Sequence, residues 1–152
     1  MMPAHAGPAA PLRLLITGAT GFVGTTLTTS LAAHGRRVKV LSRSSATTPR
    51  KVASARVADF ADAGALRSAL ESMEVVVHLA ARVHVMREDA ADPLAAFRRV
   101  NVEGTRAVYA AARASGVRRV VFLSSIKAMG EGSAAPYRES DTPHPVDPYG
   151  IS

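Results

Sequence analysis

Cysteine and tryptophan are both missing from this chain of 152 residues, and aromatic residues make up only 5% of it. Without cysteine, no disulfide staple and no thiolate metal site can form, and a reducing cytoplasm is the expected location. Long apolar runs are missing too: none approaches the ~20 residues of a membrane-spanning helix, so a membrane protein of that kind is excluded. Nineteen Lys and Arg against twelve Asp and Glu leave a net charge of +7, which raises nucleic acid as a partner. The bases are scattered, however, as doublets such as Arg36-Arg37, Arg98-Arg99 and Arg118-Arg119, with no aromatic-interleaved basic strip of the RNA-binding kind. A positive surface that attracts a doubly anionic cofactor or a sugar nucleotide accounts for the charge, and nucleic acid is not the expected partner.

What is present is a globular composition, 47% apolar and 20% charged, in one domain's length of chain. Residues 1–11 are rich in Ala and Pro, lack the apolar core of a signal peptide, and read as a flexible tail before a domain over 12–152.

The domain is organised around Leu12 to Gly24. An apolar run, Leu14 to Ile16, breaks into three glycines spaced by two residues each, Gly18, Gly21 and Gly24, and a helical pattern follows from Phe22 to His34. Strand, glycine turn and helix in that order make a phosphate site. Glycine allows the backbone to turn and to approach a ligand closely, and the first helical N–H groups point at the anion. A second strand, Arg37 to Leu41, leads to Ser42, Arg43 and two more serines, where dinucleotide folds usually carry a carboxylate for the ribose diol. Hydroxyls and a guanidinium there suit a 2′-phosphate, which favours NADP over NAD.

Further on, Ala53 to Ala58 reads as a third strand ending at Asp59-Phe60. Ala61 to Ser72 is a helix, and the Val-rich run Glu74 to Leu79 is a strand buried on both faces. His78 and His84 stand near each other without paired carboxylates and read as structural, not as metal ligands. One long helix is expected from Pro93 to Ser115, with Asn101 and Gly104, both poor helix formers, inside it. Arg118 to Leu123 is a fifth strand ending in Ser124-Ser125. A long loop then leads to Asp147-Pro148-Tyr149, where Asp147 reads as an N-cap and Pro148 as a first helical residue.

Five marks in this order resemble the extended short-chain dehydrogenase/reductase family of nucleotide-sugar epimerases and dehydratases. They are T-G-x-x-G-x-x-G, Asp59, His78-Leu79-Ala80-Ala81, Asn101-Val102-Glu103-Gly104-Thr105, and Leu123-Ser124-Ser125 followed by Tyr149. The stretches from Ala80 to Met86 and from Ser124 to Glu131 are most similar to UDP-glucose 4-epimerase-like proteins acting on UDP-N-acetylamino sugars.

The resemblance implies an α/β fold, a Rossmann-type doubly wound parallel sheet in three layers, incomplete at its C-terminal side. It implies NAD(P) as cofactor, a UDP-sugar as substrate and a homodimer in the intact protein. It places the pyrophosphate on Gly18, Gly21, Phe22, Val23 and Gly24, the adenine near Asp59 and Phe60, and the nicotinamide near Leu79, Ala80, Ala81 and Tyr149. Asn101 takes the proton-relay position, Ser125 the catalytic Ser/Thr position, and Tyr149 that of the acid/base. The family's Lys, four residues after the Tyr, would stand one position beyond Ser152, and its substrate domain is absent from these residues. Two functions therefore stay open: the cofactor half of an NAD(P)-dependent epimerase, dehydratase or reductase, and a non-catalytic NAD(P)-binding module or sensor. Ending after the fifth strand also predicts an unprotected apolar sheet edge and a tendency to associate.

Overall fold

Five short strands line up as one parallel sheet in the computed structural model, which describes residues 11–43, 52–57, 59–83 and 90–152. The expected tail up to residue 10, the two serines after Arg43, Ala58 and His84 lie outside the described residues. The elements run β1 (Arg13–Thr17), α1 (Phe22–Ala33), β2 (Arg37–Ser42), β3 (Ala53–Arg56), α2 (Ala63–Leu70), β4 (Val75–His78), α3 (Pro93–Arg98), α4 (Gly104–Ala114), β5 (Arg119–Phe122) and α5 (Pro148–Ile151). Strand order is β3-β2-β1-β4-β5, so the chain moves outward from β1 in one direction and then in the other. That is the doubly wound arrangement, and its switch point lies between β1 and β4.

Alternation along the strands sorts the core into two layers. Leu15, Leu41, Val57 and Val76 face α2 and α4, where Leu66, Leu70, Val108 and Ala112 close over them. Ile16, Val38 and Val40 face the other way, against Leu27 and Leu31 of α1. Because Lys39 shares the first face with Leu15, its ammonium reaches the Ala69 carbonyl at 3.1 Å and caps the end of α2. A cation at a helix C-terminus satisfies an orphan carbonyl and the helix dipole together.

The long helix expected from Pro93 to Ser115 is not uniform. Asp92 caps it through the Ala95 N–H, but residues Arg99–Glu103 form a π-helical turn between α3 and α4. The turn centres on Asn101, whose side chain is pulled across to the backbone of Arg82. Gly104, at the start of α4, is packed so tightly that an added Cβ would lie 2.8 Å from the Phe60 ring.

Two other expectations need correction. The third strand ends at Arg56, although the Val57 N–H still bonds the Ser42 carbonyl at 2.9 Å. The stretch after Ser125 begins with a 3₁₀ turn, Ile126–Met129, and not directly with a loop.

Strand β5 forms the expected edge. Its parallel-type apolar run is not buried on both faces: Phe122 keeps 56% of its surface in water, and Val121 and Leu123 are also exposed. Edge strands with apolar side chains template pairing with other chains. The 152-residue chain is therefore expected to self-associate in sedimentation velocity, and Val121→Lys to shift it toward monomer. A concentration-independent monomer for the parent chain would contradict this.

Candidate dinucleotide and proton-transfer site

The carboxyl ends of β1 and β4 are held together by one hydroxyl. Thr17 Oγ1 accepts the backbone N–H groups of Leu79 at 3.2 Å and Ala80 at 3.1 Å, and lies 2.7 Å from His78 Nδ1. With both lone pairs occupied, the hydroxyl has its own proton to give, so it donates to Nδ1. The imidazole proton is then on Nε2, which donates to Thr105 Oγ1 at 3.0 Å. His78 is only 1% exposed, and its ring lies between those of Phe60 and Phe122. Burial pushes its pKa from the ordinary 6.5 down to about 4. Both of its nitrogens are engaged within the protein, and no metal-type cluster of His, Cys, Asp and Glu occurs among the described residues.

On this support rests the glycine turn. Gly18 has φ +67°, and a Cβ there would lie 2.6 Å from the Ala80 nitrogen and from the Leu79 carbonyl carbon. A Cβ on Gly24 would collide with the Gly18 carbonyl oxygen. The turn is thus pressed flat between β4 and the first turn of α1. Gly21 caps α1 without a side chain, and no acidic residue stands in the first turn. The opening N–H groups of α1, at Phe22, Val23 and Gly24, must find their partner outside the helix. Phe22 itself is 94% exposed, so its contribution to a ligand is its backbone. A backbone cradle that any side chain would fill, with open helical N–H groups and no competing carboxylate, fits a pyrophosphate.

At the other end of the crevice, Ser42 and Arg43 close β2. The strand register brings Arg56 beside Ser42, and Arg56 Nε lies 3.5 Å from the Arg43 carbonyl oxygen. Arg56 is a second guanidinium at this corner that sequence reading missed; its signal was a base ending β3, paired in register with the end of β2. Asp59 accepts the Ala61 N–H through Oδ1 at 3.0 Å and is exposed. The Phe60 ring turns toward His78 and Gly104, which leaves the Phe60 backbone as the group that can face a ligand.

The three proposed proton-transfer residues converge on α5. Asn101 Oδ1 accepts the Arg82 N–H at 2.7 Å, and its Nδ2 donates to the Arg82 carbonyl at 3.1 Å and to Ser152 Oγ at 2.8 Å. Ser152 Oγ in turn donates to the Tyr149 carbonyl at 2.8 Å. The Tyr149 ring meets Phe97 with centroids 6.2 Å apart, and the Arg82 guanidinium lies over the Phe97 ring, 5.3 Å from its centroid. Ser125 is half-buried and caps the 3₁₀ turn by accepting the Lys127 N–H at 3.3 Å, leaving its hydroxyl proton to donate. Asp147 caps α5 through the Gly150 N–H, as its place before Pro148 implied. Ser152 was not expected at this site and could not be read from spacing, since its partner is 51 residues away.

Comparison with known proteins agrees with this geometry. A family model described as NAD dependent epimerase/dehydratase family matches residues 14–152. The chain belongs to that family. A UDP-glucose 4-epimerase of Vibrio cholerae is 38% identical over 144 residues, covering 93% of this chain and 44% of that protein. Among solved structures, a UDP-glucose 4-epimerase from Brucella ovis in complex with NAD superposes with a TM-score of 0.80 at 30% identity, covering 92% of this chain and 44% of the other. The Bordetella bronchiseptica enzyme WbmG in complex with NAD and UDP gives a TM-score of 0.75 at 27% identity, covering 93% and 46%. This epimerase/dehydratase chain thus spans less than half the length of these relatives. No helix among its described residues is long and apolar enough to cross a membrane.

Two outcomes follow from the site's packing. Gly18→Ala and Gly24→Ala should each destabilise the fold by about 1–3 kcal/mol in chemical denaturation. Gly132→Ala, where an added Cβ meets nothing within 4 Å, should be neutral; equal losses at all three would refute the close-approach argument. The second concerns pH. His78 binds its proton near 6.5 when unfolded and near 4 when folded, so its neutral burial stabilises fully above pH 6.5 and less as pH falls toward 4. The loss should reach about 1.4 kcal/mol per pH unit in that window and be absent from His78→Asn, measured by denaturation at stepped pH. The carboxylates of Glu74 and Asp147, both held below their ordinary values by hydrogen bonds and nearby cations, act lower, as pH falls below about 4.

Proposed function

We propose that this chain is the dinucleotide-binding half of an NAD(P)-dependent nucleotide-sugar epimerase, dehydratase or reductase, acting on a UDP-sugar in the intact protein. The observation that carries the reading is the convergence on α5. Tyr149, the turn opening at Ser125, and Asn101 are brought together at the carboxyl ends of the strands, the same end as the glycine turn. The bound dinucleotide supplies hydride transfer at a sugar carbon. The chain's own residues supply binding and proton handling. Gly18, Gly21 and Gly24, with the Phe22 and Val23 backbone, hold the pyrophosphate. Asp59 and the Phe60 backbone meet the adenine, and Leu79, Ala80 and Ala81 form the wall of the nicotinamide side.

At the sugar, the Ser125 hydroxyl donates to the carbonyl oxygen as it forms, and Tyr149 exchanges the hydroxyl proton. Asn101 holds the Arg82 backbone and, through Ser152, the backbone of Tyr149, so it acts on the proton path by fixing both walls. The WbmG complex with UDP and the name of the Vibrio relative support a UDP-sugar as the substrate class. At the adenosine corner, Ser42, Arg43 and the neighbouring Arg56 favour a 2′-phosphate, hence NADP over NAD, although structures of relatives hold NAD.

Equilibrium fluorescence titration of the purified chain with NADPH and NADH tests this. Both should bind, NADPH more tightly, and Arg43→Ala should weaken NADPH by about tenfold or more while sparing NADH. Equal weakening of both would remove the phosphate assignment, and no binding of either would overturn the functional reading.

A further inference from the structure

The turn that carries Ser125 and the helix that carries Tyr149 are joined by a side chain to which no role has been given. We propose that Lys127 is a positioning residue that sets α5, and with it Tyr149, against the Ser125 turn. This rests on the assignment of Ser125 and Tyr149 made above.

Lys127 sits two residues after Ser125, in the 3₁₀ turn that the Ser125 hydroxyl caps. Its ammonium lies 2.7 and 2.6 Å from the two carboxylate oxygens of Glu131 and 3.3 Å from Asp147 Oδ2. Asp147 is the N-cap of α5, and its other oxygen accepts the Gly150 N–H at 2.6 Å. One carboxylate therefore faces two ways, to the helix it starts and to the cation of the facing turn. Lys127 and Asp147 keep only 34% and 35% of their side-chain surface exposed, so the pair is less open to water than an ordinary surface ion pair.

The backbone of the same residue makes the second contact. Gly150 lies against the Lys127 carbonyl so closely that a Cβ would come to 2.5 Å from its oxygen. Just upstream, the His144 N–H donates to the Ala128 carbonyl at 3.1 Å. The cation is held high in the protonated state by Glu131 and Asp147, which agrees with a permanent tie. A lysine that merely decorated the surface would pair with Glu131, four residues on, and leave Asp147 alone. The link across 20 residues to the α5 cap is what makes it a tie between elements.

The tie matters because it acts on the cap of the turn that carries Tyr149, whose opening N–H groups have no partner within α5. Its far end is anchored by Ser152 to Asn101, and its ring by Phe97. Lys127 anchors the near end, which is the end that determines how far Tyr149 stands from Ser125.

The test uses the whole chain in a Tyr109→Phe, Tyr137→Phe background, so that Tyr149 is the sole tyrosine signal. Lys127→Met, Lys127→Arg and Asp147→Asn are compared by amide hydrogen exchange and by the NMR shifts of the Tyr149 ring, whose contact with Phe97 reports its position. Lys127→Met is expected to speed exchange of the Gly150 and Ile151 amides about three- to tenfold and to move the Tyr149 ring signals, while amides of the central strands stay unchanged. Asp147→Asn, which keeps a capping side chain, should match it, and Lys127→Arg should restore both readouts. Unchanged exchange in Lys127→Met would overturn the proposal. So would faster exchange without movement of the Tyr149 signals, or a Lys127→Arg variant that restores neither. NADPH titration of the same proteins separates the two readings: a parent chain that fails to bind while the Lys127 effects persist defeats the functional assignment and leaves the tie standing.

Discussion

Much of this architecture depends on the hydroxyl of Thr17. It sits at the end of the central strand, with no exposed surface, and takes two backbone N–H groups from the chain leaving β4 while giving its proton to His78. Because every hydrogen-bonding valence is used, the imidazole tautomer is set, and the free Nε2–H reaches Thr105 on α4. Three elements are locked together at one end of the sheet by groups that cannot be left unpaired in a buried site without a cost of about 1–3 kcal/mol each. The glycine turn then has a rigid floor, since the Ala80 N–H that Thr17 holds is the atom against which Gly18 is pressed.

The same logic explains why the binding crevice is built from backbone. Phe22 and Val23 point into solvent, and the glycines have no side chain to offer, so the anion meets only N–H groups and the opening of a helix dipole. In the proposed site, side chains enter at the ends of the crevice: Ser42, Arg43 and Arg56 at one end, Ser125 and Tyr149 at the other. The groups of the proposed site gather at one end because all five strands of the parallel sheet end on the same side.

How much of this was legible in the sequence depended on the range of the interaction. Local signals were readable. The glycine spacing gave the turn, Val75 to Val77 gave a buried strand, and Asp147 before Pro148 gave a capped helix, since each rests on neighbours within a few residues. The π-helical turn was not: the sequence showed only that Asn101 and Gly104 were poor choices for a plain helix, and the partner of the Asn101 side chain is a backbone 19 residues earlier. The 3₁₀ turn after Ser125 was hidden although its bonds are local, the Ala128 and Lys127 N–H groups donating to the Ser125 carbonyl and hydroxyl, because no periodicity marks so short a turn. Position in the sheet was half-legible. The run Val120 to Phe122 reads alike for a central and an edge strand, and only the order of winding distinguishes them.

These long-range ties fall where proton transfer is proposed, and that coincidence has a physical basis. Tyr149 stands in the first turn of α5, so its placement is decided by the cap of that turn and by what packs on it. Asn101 and Ser152 hold one end, Phe97 packs on the ring, and Asp147 with Lys127 holds the other end. These contacts come from outside α5, from α3 and the turn after it and from the 3₁₀ turn after Ser125. The proposed acid/base is thereby tied to the strand end by side chains from outside its own helix. Exchanging those side chains would change the geometry of proton transfer without touching the dinucleotide cradle.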